Sequence, residues 1–218
     1  LAITEFTGSQ QQQPSAPAEY PTSDTQATSQ PTKPAEWEAM PIGELRARAE
    51  ANQVPAMEEL ARRLLEGIGV TKDQQAGAGW LLRAAEAGSA KSAFNAGVMY
   101  ERGFVVDRDS SRAVEWYRKA AEAGPPAAKH NLALLLRDGR GTPRNGKEAI
   151  ELLRSAALQG MAASMFTLGD IYERGDAAPK DAAMALGWFA VTAEFDRQMN
   201  RDTDTPLSQA ATQRVQTL

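Results

Sequence analysis

A 36-residue period constrains this chain more than any other feature of its sequence. The stretch from Gly88 to Ala123 reads GSAKSAFNAGVMYERGFVVDRDSSRAVEWYRKAAEA. Shifts of 36 residues place similar residues on one another from position 52 to position 195, without an insertion or a deletion. A fixed period of this length is typical of solenoids, because each repeat buries its apolar surface against its neighbours. We therefore predict four repeats, at residues 52–87, 88–123, 124–159 and 160–195.

Each repeat is predicted to hold two helices, which we call helix A and helix B. In the second repeat, helix A covers about 90–102 and ends at Gly103, since glycine adopts the left-handed conformation at little cost. Asp109 is then the N-cap of helix B, where its carboxylate accepts free amide hydrogens of the first turn. The same positions hold Gly67, Gly139 and Gly175, and Asp73, Asn145 and Asp181, in the other repeats.

Two further sets of equivalent positions predict how the helices pack. Small residues recur on helix A, which allows helix B to approach closely. Large apolar residues recur on helix B, and we expect them to fill the space between layers. The small set is Ala61, Gly97, Ala133 and Gly169, and the large set is Trp80, Trp116, Leu152 and Trp188.

The two ends of the chain depart from the repeat pattern. Residues 8–36 are rich in Gln, Pro, Ser, Thr and Ala, so we predict a disordered or extended linker over 1–38. Residues 39–51 match the second half of a repeat and are predicted to form an N-terminal capping helix. Residues 196–218 are predicted to form a polar turn and a C-terminal helix that starts at Thr205-Pro206. Because the chain begins with Leu1, we expect a processed form or a fragment.

Composition and motifs exclude several classes of function. The formal net charge is -4, and residues 1–38 carry all of it, so the repeat region is neutral and lacks the basic stripe of a nucleic-acid-binding protein. The absence of cysteine excludes disulfide and zinc-thiolate frameworks. No apolar run reaches the ~18 residues of a membrane span. Phosphate-binding loops and nucleophile motifs are also missing, so we predict no cofactor, no metal and no catalysis.

The repeat motifs resemble those of the Sel-1-like repeat (SLR) family, which is related to tetratricopeptide repeats. The resemblance is carried by Y-E-R-G at 100–103 and by D-x-x-x-A-x-x-W-Y-x-K-A-A-E-x-G at 109–124, and it covers residues 39–195. It implies an all-α, right-handed superhelical solenoid that binds proteins and holds no cofactor. The segments HNLALLLRDG, MFTLGDIYERG and ALGWFAVTAE are similar to extracytoplasmic SLR proteins of alphaproteobacteria, which implies a periplasmic or other extracytoplasmic location.

The side chains that helix A does not need for packing are the candidate binding residues. By analogy with tetratricopeptide stacking, helices A line the concave side, where asparagine amides clamp a partner's backbone and aromatic rings hold its side chains. The alternative is that the aromatic positions only pack against neighbouring helices. Helix B, in contrast, is expected to show a mixed-charge surface without an apolar anchor. The candidate residues are Phe94, Asn95, Val98, His130, Asn131, Leu134 and Phe166.

These observations together favour a non-catalytic adaptor that binds a partner protein or peptide on the concave helix A side. The resemblance fits a membrane-associated or cell-envelope partner. Two alternatives remain open, namely a non-catalytic regulatory subunit of a cell-envelope enzyme complex and an inhibitor of a membrane sensor kinase.

Overall fold

A computed structural model describes residues 34–200 and 205–217. Residues 33–218 belong to one compact unit, and the described part contains eleven helices and no strand. The predicted linker lies outside the described residues up to position 33. The helices are α1 Pro34–Ala39, α2 Ile42–Glu50, α3 Val54–Glu66, α4 Gln74–Glu86, α5 Ala90–Arg102, α6 Ser110–Ala123, α7 Pro126–Asp138, α8 Gly146–Leu158, α9 Ala162–Arg174, α10 Ala182–Met199 and α11 Pro206–Thr217.

The helices alternate as the 36-residue period predicts. Helices α3, α5, α7 and α9 are the four helices A, and α4, α6, α8 and α10 are the four helices B. From α2 onward, each helix packs mainly against the helices that precede and follow it in the chain. The predicted all-α helical solenoid is therefore confirmed.

The predicted ends of the helices follow from local backbone chemistry. Gly67, Gly103, Gly139 and Gly175 end the four helices A in the left-handed conformation, with φ between 70° and 82°. The four predicted caps each accept a backbone hydrogen bond in the first turn of helix B. In the second repeat, the amide of Arg112 donates to Asp109 Oδ1 over 3.0 Å. The loops between helices A and B are thus fixed at both ends by residues that recur every 36 positions.

Most buried side chains of the repeats form one continuous apolar cluster that contains residues of all four. Trp116 is buried in it, whereas Trp80 and Trp188 are half-buried and pack at its edge. Gly97 lies against the ring of Tyr117, and a Cβ atom added at Gly97 would come within 2.5 Å of Tyr117 Cδ1. The small positions of helix A therefore decide how closely helix B approaches.

The structure corrects the predicted N-terminal boundaries. Residues 34–39 form α1 rather than the end of a linker, and Trp37 and Met40 are buried. The predicted helix at 39–51 is broken before Ile42, since Pro41 precedes α2. Residues 37–40 are bound to α3 by Arg63, which sequence periodicity does not reveal. The Arg63 guanidinium donates to the carbonyl oxygens of Trp37, Glu38 and Met40 over 2.7–2.8 Å. These carbonyls lie at or just after the end of α1, where a helix leaves backbone acceptors for partners from elsewhere in the protein.

The charge of Arg63 is balanced inside the same cluster. Its Nε donates to Glu59 Oε1 over 2.8 Å, and both side chains are buried. Burial acts to raise the pKa of Glu59, but the hydrogen bonds from Arg62 and Arg63 outweigh it, so the pKa of Glu59 is lowered. Glu59 therefore stays ionised beneath α1.

At the C-terminus, α10 extends to Met199, four residues into the segment predicted as a polar turn. Thr205 and Pro206 start α11 as predicted, and the amide of Ser208 donates to Thr205 Oγ1 over 3.2 Å. Helix α11 packs against α10 and buries Ser208 and Ala211. It therefore covers the end of the repeat array in the described part of the chain.

Candidate functional site

The seven predicted binding residues lie on three consecutive helices A. We call the surface that they form on α5, α7 and α9 the helix A face. Asn95 is exposed, and the other six side chains are half-buried. Half-burial leaves each of them in contact with both the protein interior and the solvent.

The aromatic positions of this face also take part in packing. The rings of Phe94 and Tyr117 have centroids 5.9 Å apart, and those of Phe166 and Phe189 are 5.2 Å apart, in tilted arrangements that suit aromatic pairs. Each phenylalanine thus contacts the aromatic residue of helix B in its own repeat. One part of each ring is used for folding, and the rest faces outward.

His130 of the third repeat occupies the position equivalent to Phe94 and Phe166, and it contacts the fourth repeat. His130 Nδ1 lies 2.9 Å from the hydroxyl of Ser164, which is fully buried. Burial of the ring, and then the nearby charge of Arg137, lower the pKa of His130. The ring is therefore neutral at neutral pH and acts as an uncharged partner of Ser164.

The first repeat holds Glu58 and Glu59 at the positions equivalent to Phe94 and Asn95, and neither extends the helix A face. Glu58 accepts hydrogen bonds from the hydroxyls of Ser89 and Ser92, at the start of α5. Glu59 is buried with Arg63 under α1. Both carboxylates are therefore engaged by groups of the protein itself.

An open pocket of about 440 Å³ lies between the second and third repeats. Val98 and Asn131, both predicted, share it with a polar network built on Tyr117. The Tyr117 hydroxyl donates to Glu101 Oε2 over 2.8 Å, and Asn131 Nδ2 donates to the Tyr117 oxygen over 3.0 Å. One hydroxyl thus joins three helices that belong to two repeats. The pocket is lined by Val98, Glu101, Arg102, Arg108, Tyr117 and Asn131.

The tyrosine hydroxyl is held in its protonated form. Burial of the ring, and then the hydrogen bond to Glu101, raise the pKa of Tyr117. Arg140 Nη2 reaches the other oxygen of Glu101 over 3.3 Å. Both oxygens of Glu101 are therefore engaged by groups of the protein.

Sequence reasoning missed four of the six residues that line this pocket, namely Glu101, Arg102, Arg108 and Tyr117. A signal was present at Tyr117, because the equivalent positions hold Leu81, Leu153 and Phe189, none of which carries a hydroxyl. A polar atom at one position of an apolar column indicates a local partner. The prediction instead treated Tyr117 as a core residue only.

The helix B surface differs from its prediction in the last repeat. In α6, the exposed side chains include Arg118, Lys119 and Glu122, as expected. In α10, no charged residue occurs between positions 182 and 193, and Leu186 and Val191 are 38% and 50% exposed. The expected mixed-charge surface without an apolar anchor is therefore not found on α10. The prediction extended the charges of the second repeat to a repeat that lacks them.

In the residues that the structure describes, we find no helix with the length and hydropathy of a transmembrane span. The same residues contain no group of three or more His, Cys, Asp or Glu side chains arranged to hold a metal ion.

Comparison with known proteins gives both a family and structural neighbours. The family model described as Sel1 repeat matches four times, at residues 54–89, 90–125, 126–161 and 162–194, which is more than half of the chain. Each match begins two residues after the predicted repeat. No curated protein matches the chain.

Solved structures that share the fold include the following two. A protective antigen present in uropathogenic Escherichia coli strains, whose structure displays an SLR fold, is 29% identical, with a TM-score of 0.66, over 82% of this chain and 41% of its own. A Sel1 repeat protein from Oxalobacter formigenes is 33% identical, with a TM-score of 0.65, over 70% of this chain and 63% of its own. This chain thus spans less than two thirds of either protein. With four family matches in register with the four helix pairs, the chain belongs to the Sel1 repeat family, whose members generally act as protein-interaction scaffolds.

Proposed function

We propose that this chain is a non-catalytic adaptor that binds a segment of a partner protein on the helix A face. The observation that carries the proposal is the open pocket between the second and third repeats. It brings predicted residues from two repeats, Val98 and Asn131, to one place. A pocket shared by two repeats presents a continuous surface to a ligand, whereas separate side chains do not.

The chemistry of this face suits an extended peptide. Asn131 uses one amide hydrogen on Tyr117, which leaves its second hydrogen and its carbonyl oxygen for a partner's backbone. Asn95 is exposed on the helix A face, on α5. Phe94 and Val98 add half-buried apolar surface, and binding energy usually concentrates in a few such anchors. Backbone and side-chain recognition are thus available together.

The pair formed by His130 and Ser164 does not support catalysis. A hydrolytic triad needs an accessible nucleophile and a carboxylate that orients the histidine. Ser164 is fully buried, and among the described residues no carboxylate is hydrogen-bonded to the His130 ring. We therefore assign this pair to the packing of the third repeat on the fourth.

Site-specific photo-crosslinking tests the proposal directly. A benzophenone amino acid is placed at Asn95 on the helix A face, or at Glu122 on helix B, in the full chain. Both positions are exposed, so neither substitution disturbs the core. After irradiation in a lysate of the source organism, we expect a discrete protein adduct from position 95 and none from position 122. Adducts from position 122 alone, or from neither position, would overturn the proposal.

A second measurement asks whether the aromatic surface contributes. Phe94→Ala is expected to weaken binding of the captured partner by about 1–3 kcal/mol. Because Phe94 also packs on Tyr117, circular dichroism must show that the variant is folded. The matched control, Glu122→Ala, should change affinity by less than ~0.5 kcal/mol, as expected for a surface residue away from the site.

A further inference from the structure

We infer that the pocket between the second and third repeats binds the carboxylate side chain of an acidic residue in the partner segment. This inference rests on the proposed function and names the class of ligand that the helix A face recognises. It starts from two guanidinium groups that line the pocket, those of Arg102 and Arg108.

Neither arginine forms an ion pair or a hydrogen bond with another side chain of the described residues. The nearby acids are engaged elsewhere or lie outside the pocket. Asp109 caps α6 and lies 3.6 Å from Arg112, and Asp107 does not line the pocket. The two positive charges thus face the pocket without an internal counter-ion.

Glu101 is the only carboxylate in the lining, and it does not compete for these arginines. Its Oε2 accepts from the Tyr117 hydroxyl over 2.8 Å, and its Oε1 lies 3.3 Å from Arg140. The lining holds this one carboxylate against two guanidinium groups, so its net charge is positive. A carboxylate supplied by a partner would therefore enter a site with complementary charge.

The donor types also favour a carboxylate. A guanidinium group presents parallel N–H donors that match the two oxygens of a carboxylate, and such pairs are stronger than neutral hydrogen bonds. The volume of about 440 Å³ is ample for an Asp or Glu side chain with adjoining backbone. Asn131 and Val98, at the same pocket, provide an amide and an apolar contact for that backbone and its neighbours.

The position of the pocket indicates a side chain rather than a chain terminus. Helices α5, α6 and α7 and the loop between α5 and α6, which carries Arg108, form it, with α3 on one side of them in the array and α9 on the other. A segment bound along consecutive helices A would continue past the pocket in both directions. An internal acidic residue, rather than the C-terminal carboxylate, is therefore the expected occupant.

Peptide display tests this inference on the full chain. Random 12-residue peptides fused through their C-terminus to a phage coat protein, which leaves no free terminal carboxylate, are selected on the wild-type protein and on Arg102→Gln/Arg108→Gln. Both arginines are exposed, so the variant should fold normally. The control, Arg83→Gln/Lys147→Gln, removes two exposed positive charges from helices B.

We expect Asp and Glu to be enriched at a fixed position among peptides selected on the wild type and on the control, but not on the arginine variant. A synthetic winning peptide should lose roughly 10-fold or more in affinity on the arginine variant, since hydrogen bonds to charged groups are among the stronger ones. Its affinity should also fall as NaCl is raised, because salt screens exposed charges. Amidating its C-terminus should leave the affinity unchanged.

The outcomes separate this inference from the proposed function. Selected peptides that lack acidic enrichment, or that bind the arginine variant equally well, overturn the inference. If those peptides still lose affinity on Asn95→Arg, the helix A face remains the binding surface. If neither substitution affects any selected peptide, the inference and the proposed function both fail. Loss of affinity on amidation would show that the pocket takes a terminal carboxylate, which contradicts the inference.

Discussion

Gly169 lies against the ring of Phe189, and a Cβ atom built on it would come within 2.6 Å of Phe189 Cε1. The second repeat has the same relation between Gly97 and Tyr117. In the first and third repeats, the corresponding pairs are alanine with leucine. These pairs are Ala61 with Leu81 and Ala133 with Leu153. Glycine thus occurs where helix B presents an aromatic ring, and alanine occurs where it presents leucine. The sizes of these two side chains, 20 residues apart in the sequence, are therefore matched so that together they fill the same space between helix A and helix B.

A double-mutant cycle in the fourth repeat tests this coupling. Gly169→Ala should destabilise the protein by about 1–3 kcal/mol, because the added methyl group overpacks the site. Gly169→Ala with Phe189→Leu recreates the pair of the third repeat, so the double variant should be more stable than the sum of the single effects predicts, by about 0.5–3 kcal/mol. Urea denaturation measures all three free energies of unfolding.

Gly187 provides the matched control for this cycle. It lies within α10, and a Cβ atom there would have no neighbour within 4 Å. Gly187→Ala should therefore stabilise the protein by about 0.5–1 kcal/mol, through helix propensity alone. Additive effects at Gly169 and Phe189, or destabilisation at Gly187, would show that volume sharing does not explain the pattern.

Among the elements, α1 receives its long-range hydrogen bonds from a single side chain of α3, while Trp37 of α1 packs in an apolar cluster. Arg63, in α3, donates to three carbonyl oxygens at the end of α1 and pairs with Glu59. Its neighbour Arg62 also binds Glu59, over 2.8 Å, but it contacts no residue of α1 by a hydrogen bond that the structure records. The two arginines therefore share a carboxylate, and of the two only Arg63 donates hydrogen bonds to the end of α1.

Arg63→Met is expected to destabilise the protein by about 2–4 kcal/mol, because it removes charged donors from three carbonyl oxygens at the end of α1 and from the buried carboxylate of Glu59. The backbone amides of residues 37–40 should exchange with solvent much faster, while those of α9 should not change. Arg62→Met should cost less than ~1 kcal/mol, since this side chain is 38% exposed and its ion pairs are near the surface. Equal effects of the two substitutions would contradict the role assigned to Arg63.

The contrast between α1 and the repeats shows what the sequence predicts at this scale. The period predicts the eight repeat helices, because glycine ends and Asp or Asn caps recur at fixed offsets. It does not predict α1, which follows from the long-range contacts of Arg63 rather than from local preference. The sequence predicts only part of the pocket lining, because some of the lining residues depart from the repeat pattern. Val98 and Asn131 follow from the period, whereas Tyr117 contributes a hydroxyl that no other repeat has at that position.

Across the whole molecule, each repeat depends on its immediate neighbours for burial. Successive helices pack on one another from α2 to α11, so the array has two ends in its described part. At the C-terminal end, Val215 of α11 packs against the cluster of Tyr172, Ala185 and Phe189. Stability in such an array is approximately a sum of repeat and nearest-neighbour contributions. Removing an end should therefore affect the adjacent repeat most.

Ending the chain at residue 204 tests this behaviour, because it removes α11 and exposes Phe189. We expect amide exchange to become faster in α9 and α10, by more than in α7 and α8, with little change in α3 and α4. Hydrogen exchange with mass spectrometry resolves these helices individually. An equal loss of protection in all four repeats would show that the array unfolds as one unit and would contradict nearest-neighbour coupling.

A single substitution separates the apolar contribution of α11 from its charge. Arg214 donates to both oxygens of Glu173 over 2.6–2.7 Å, but its side chain is 36% exposed. Ion pairs at this exposure contribute ~1 kcal/mol or less, so Arg214→Gln should raise exchange in α9 and α10 only slightly. If Arg214→Gln reproduces the full effect of the shortened chain, the ion pair rather than apolar burial holds the last repeat. The expected result is the opposite, because Ser208 and Ala211 place α11 in the interior without any charge.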